Sequence, residues 1–163
     1  MDDASDMFRL AIGVFFDAER LESAVADLRA DGITPGQLCL AGTREAVDGL
    51  AVALPRPPGA GLTVLTGHLL GSAPPDDLEL VATDGRLVHA LLEYARPEEA
   101  CLAQASTWRL ADLLAGLASH FREGAVALLV CAPDVGAQRR SSRVLLRHSA
   151  HTVQTHEFVL RRP

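Results

Sequence analysis

Two short apolar runs, Phe8 to Phe16 (FRLAIGVFF) and Ala125 to Cys131 (AVALLVC), are apolar at both parities. Strands with one wet face alternate apolar and polar side chains, so both runs predict strands covered on both faces. In the first, Leu10, Ile12, Val14 and Phe16 fall on one side, with Ala11, Gly13 and Phe15 on the other. In the second, Val126, Leu128 and Val130 oppose Ala127, Leu129 and Cys131. A helical period follows each run. Asp17 is placed to cap a helix whose Leu21, Ala24, Val25 and Leu28 make one stripe. Pro133 and Asp134 start another, in which Ala137, Ser141, Val144, Leu145 and His148 share a face. Gly32 stops the first helix, Thr34-Pro35-Gly36 turns the chain, and Gln37 to Ala41 and Thr152 to Leu160 predict the next strands.

Strand, helix, strand is therefore the order at both ends, over residues 8–42 and 125–160. Laying Asp17 on Asp134 also lays Ala24 on Ser141, Leu28 on Leu145 and Cys39 on His156, which is an internal repeat. Two such units folded onto one antiparallel sheet predict an α+β, ferredoxin-like architecture. The segment between them, 43–122, is too long for a connection and predicts a mixed α/β insert. It holds a short helix from Thr43, strands at Leu62 to Thr66 and Leu78 to Thr83, an apolar stripe at Arg86 to Tyr94, and a helix from Trp108 to Arg122 stopped by Gly124. An uncovered second sheet face would be a large apolar patch, so the insert, together with a second copy in a homodimer, is expected to cover it.

Three stretches, AIGVFFDAERLESAVADLRADG, EGAVALLVCAPD and LLRHSAHTVQTHE, resemble a bacterial family of small general-stress or heat-induced stress proteins built from duplicated ferredoxin-like βαβ units. The resemblance covers the two terminal thirds of the chain. It implies a stress-associated role and brings no catalytic residues to carry over.

Composition narrows the chemistry. At 163 residues and 48% hydrophobic, the chain has material for one core and hence one domain. No apolar run has the length of a bilayer span, and the acidic start MDDASDMFRL is unlike a secretory signal, so a cytoplasmic protein without a membrane partner is expected. Cys39, Cys101 and Cys131 are odd in number and far apart, which favours reduced thiols over a disulfide framework. A formal charge of −6 disfavours nucleic acid. The sequence has neither lysine nor asparagine, which excludes Walker A phosphate binding, Schiff-base chemistry and a Cys/His/Asn protease site.

No nucleophile elbow or dinucleotide fingerprint occurs, so neither a catalytic residue nor a cofactor is assigned and an enzyme is not expected. His148, His151 and His156 crowd the C-terminal unit, but their spacing matches no metal motif and no metal site is expected from them. Arg139, Arg143 and Arg147 recur every fourth residue on the last helix, a solvated face or a surface for an anion or acidic partner. The expected function is a non-enzymatic stress-associated protein; the alternative is a regulatory or small-ligand-binding domain using a cleft between sheet and insert.

Overall fold

The computed structural model describes residues 5–50, 62–64, 80–83, 117–148 and 152–161. Along these the chain forms β1 (Ser5–Phe15), α1 (Ala18–Ala30), β2 (Leu38–Thr43), α2 (Arg44–Leu50), β3 (Leu62–Val64), β4 (Leu80–Thr83), α3 (Ala118–Arg122), β5 (Val126–Ala132), α4 (Val135–His148) and β6 (Val153–Arg161). The expected strands at both ends and in the insert are present. Of the helix expected from Trp108, only the last turn, α3, is described; residues 108–116 and the stripe at 86–94 lie outside the described residues.

Local chemistry fixes the helix ends. The Asp17 carboxylate accepts the Glu19 N–H at 2.9 Å, and that of Asp134 accepts the Ala137 N–H at 2.7 Å. Each satisfies a first-turn donor that has no partner inside its helix. At the other end of α1, Ile33 N–H reaches Leu28 C=O at 3.1 Å and Gly32 N–H reaches Arg29 C=O at 3.0 Å. The same pair of bonds closes α3, from Ala125 to His120 and from Gly124 to Phe121, at 3.0 and 3.1 Å. This closure requires a left-handed residue after the helix, and glycine supplies it at φ 94° in Gly32 and 95° in Gly124.

Among the described residues the strands form one six-stranded sheet in the order β3-β4-β2-β5-β1-β6, every pair antiparallel. Neither terminal unit keeps its two strands side by side: β5 lies between β1 and β2, and β1 lies between β5 and β6. The units interleave. The repeat seen in the sequence is written into the register, since a shift of 117 residues carries Ile12 onto Leu129, and these two face each other in the β1–β5 ladder. The same shift carries the pair Leu10↔Cys131 onto Val14↔Ala127, so this ladder is its own image under the repeat.

The sheet as a whole departs from the four-stranded ferredoxin-like sheet expected from two units alone. Strands β3 and β4 of the insert extend it past β2, through Ala41↔Ala82 and Thr63↔Ala82. The physical reason is that β2 would otherwise be an edge, and a buried edge must find partners for its backbone N–H and C=O groups.

One face of the sheet presents Ala11, Phe15, Leu38, Leu40, Val81, Val126, Leu128 and Val130 to α1, α2 and α4, with Leu21, Leu28, Val47 and Leu145 closing the cluster. On the opposite face Leu10, Ile12, Val14, Cys39, Ala41, Ala127 and Leu129 are all buried within the single chain. Both faces are thus covered, as the strand composition requires. The positions named on the second face are buried within one copy of the chain, while Phe16 and Cys131 on the same face stay half-buried. Helix α3 touches β2, and its His120 ring meets Phe16 edge-on at 6.3 Å.

Candidate functional site

Helix α4 starts directly from the central strand β5, so the sheet sets its axis. It packs against β1, β5, β6 and α1. At 3.6 residues per turn, Ala137, Gln138, Ser141, Val144 and Leu145 fall on one side, and all five are buried. Gln138 is a polar member of this set. Its side-chain amide donates to the Leu10 carbonyl of β1 at 3.1 Å, tying the helix to the middle of the sheet and satisfying a buried polar group. The equivalent position in the first unit is Leu21, so the two halves differ here in chemistry while agreeing in geometry.

The outer side of α4 is basic. Arg139, Arg140, Arg143 and Arg147 are all exposed. With the described residues, Arg139, Arg140 and Arg143 make no ion pair, while Arg147 approaches Asp27 of α1 at 3.8 Å. The helix has no carboxylate of its own. Four of the 15 positive side chains sit on it, so the rest of the protein holds eleven against 21 negative ones, a net of −10. The charge is therefore uneven along the chain: +4 on this helix and −10 over all other residues, of which the described ones hold eleven carboxylates against six arginines. Two apolar side chains share this outer side, Val135 at 39% and Leu146 at 66% exposure. Among the described residues they are the exposed large hydrophobics.

Of the residues singled out by the sequence, Arg139 and Arg143 come together on one open face, with Arg147 at its border beside Asp27. Of His148, His151 and His156, only the side chain of His148 is described. His148 ends α4 at the edge of the buried side, its side chain 20% exposed, with Nε2 at 2.7 Å from Asp27 Oδ2. That carboxylate holds the imidazole between two helices. His151 lies outside the described residues, and His156 is placed only by its backbone, opposite Leu10 in the β1–β6 ladder. Among the described residues no group of three His, Cys, Asp or Glu side chains is arranged to hold a metal ion.

Cys39 and Cys131 are both thiols. Cys39, on β2, is buried with its Sγ against β4, while Cys131 is half-buried. Cys101 lies outside the described residues. Among the described residues no helix is long and apolar enough to cross a membrane. Compared with protein-family models, with curated proteins and with solved structures, the chain matches none.

Val135 and Leu146 are not among the positions that the inward spacing of α4 picks out. The signal was present: the two are eleven residues apart, three helical turns, and Arg139 and Arg143 fall between them on the same side.

Proposed function

We propose that this protein is a non-enzymatic interaction domain, built on a ferredoxin-like core, that engages an anionic partner through the outer face of α4. The core reading is supported by the sub-order β2-β5-β1-β6 inside the larger sheet, with α1 and α4 as crossover connections. The stress-associated setting rests on the resemblance of the terminal thirds to bacterial general-stress proteins. The observation that carries the binding role is the charge separation, four arginines on one exposed helix against −10 elsewhere. Arginine is suited to this work, since its planar fork grips carboxylates in pairs and keeps its charge. The small-ligand alternative needs a cleft against the insert, most of which lies outside the described residues, and no described feature favours it.

The test is a titration of the purified protein with fluorescently labelled polyglutamate, read by anisotropy at low and at physiological salt. We expect salt-sensitive binding that Arg139→Glu/Arg143→Glu abolishes while the melting temperature stays unchanged. Absence of binding at low salt, or equal binding by the variant, would overturn the reading.

A further inference from the structure

We infer that the partner of the α4 face is a short acidic segment of protein carrying two apolar anchors, rather than an extended polyanion. The inference rests on the proposed binding role and adds the chemistry of what is bound. Three observations carry it.

The first is the company the arginines keep. Val135 and Leu146, 39% and 66% exposed, bracket Arg139 and Arg143 on the outer side of α4. Eleven residues at 1.5 Å each place the two apolar side chains about 16 Å apart along the axis, with two turns of guanidinium between them. An aliphatic group at each end of a basic stripe suits a ligand that is apolar, acidic and apolar in turn. An amphipathic segment laid along a helix offers that sequence of groups.

The second is the acidic remainder. The basic face is about 20 Å long, the length of a 14-residue helix, and the described residues outside it carry a net negative charge. Screening reaches only about 8 Å at physiological ionic strength, so a short acidic segment feels mainly the arginines. Among the described residues outside α4, eleven carboxylates stand against six arginines, so a long nucleic acid or an anionic lipid surface running on past the helix would meet net negative charge. The third is the absence of any Phe, Tyr or Trp on α4. Recognition of unpaired bases relies on such rings for stacking, and an aliphatic pair does not replace them.

The buried side of α4 is committed to the core through Val144, Leu145 and Gln138. The helix therefore docks its partner as a fixed rod and does not turn over to insert into a bilayer.

The test uses a helical peptide of about 15 residues with two leucines eleven positions apart and glutamates between them. A second peptide replaces both leucines by serine, and polyglutamate and single-stranded RNA complete the set. Binding of each to the whole protein is measured by anisotropy. We expect the leucine peptide to bind about tenfold or more tighter than the serine peptide. The variant Val135→Ser/Leu146→Ser should remove that advantage while leaving polyglutamate binding unchanged. Both side chains are exposed, so the core is not disturbed, and an unchanged melting curve verifies this. If polyglutamate binds but the leucines add nothing, or RNA binds better than the leucine peptide, this inference fails and the anionic-partner reading stands. If no anionic probe binds, both fail together.

Discussion

Replacing Leu145 by alanine is expected to cost about 2 to 5 kcal/mol of folding stability, measured by denaturant unfolding. Leu145 is fully buried, at the place where α4 crosses β1 and meets α1. What lets it sink so far is the missing side chain at Gly13: a Cβ built there would stand 3.1 Å from Leu145 Cδ2 and 3.3 Å from its Cβ. Shortening the leucine leaves a cavity over the strand that neighbouring secondary structure is too rigid to close. The argument extends to a pair of substitutions. Gly13→Ala alone sets its methyl 3.1 Å from Leu145 Cδ2 and 3.2 Å from Phe15 Cε2, so these neighbours must give way, whereas Gly13→Ala/Leu145→Ala removes the first of these contacts. The double variant should therefore be less unstable than the two single effects added together. Strict additivity, or a Leu145→Ala loss within the ordinary range for surface positions, would show that the helix does not press on the strand as described. Leu28, its equivalent in the repeat and equally buried, should respond to alanine by a similar amount.

Thr83→Val is expected to cost about 1 to 3 kcal/mol, although valine has nearly the same shape. Thr83 is 1% exposed, and its hydroxyl oxygen accepts the Leu40 N–H at 3.1 Å. The β2–β4 ladder ends at Ala41↔Ala82, and Leu40 and Thr83 would form its next pair. The hydroxyl thus stands where a ladder carbonyl would, and it also lies 3.7 Å from Cys39 Sγ, which in turn reaches the Thr83 carbonyl at 3.4 Å. Valine keeps the packing and strands a buried N–H, so the loss isolates the hydrogen bond. Thr83→Ser retains the oxygen and should lose less. Hydrogen exchange at the Leu40 amide gives the local readout: faster exchange in the valine variant is expected, and unchanged exchange with unchanged stability would remove Thr83 from this role.

The parts legible in the sequence are those whose causes are local. The buried stripe Leu21, Ala24, Val25 and Leu28, and its counterpart on α4, follow from periodicity alone. The caps at Asp17 and Asp134 and the left-handed stops at Gly32 and Gly124 follow from side-chain chemistry within a few residues. Contacts between distant residues leave no such trace. Gln138 finds the Leu10 carbonyl across 128 positions, Thr83 finds Leu40 across 43, and His148 finds Asp27 across 121. Periodicity put His148 on the inward face, but nothing in the sequence names the carboxylate that holds it. For the candidate face, the four-residue spacing of Arg139, Arg143 and Arg147 was readable. That Arg147 leans towards Asp27 and that Val135 and Leu146 stay exposed depend on how α1 and the sheet sit beneath α4.

The placement of β1 in the sheet has a consequence during synthesis. Both of its neighbours come from the last quarter of the chain: Ala11 pairs with Val130 and Leu10 with His156, 119 and 146 positions later. A ribosome adding roughly 5 to 20 residues per second leaves this apolar strand without either partner for roughly 6 to 24 seconds. Closing loops of that length is also slow because of their entropy. A ribosome-bound nascent chain halted after β4 should accordingly hold β1 open to protease and to chaperones that bind apolar segments, and release of the full chain should end both. Protection of β1 in the halted chain would mean that some earlier pairing shelters it. The first strand made is the last to be enclosed, so the vulnerable period of this protein is set by the rate of translation as well as by its stability.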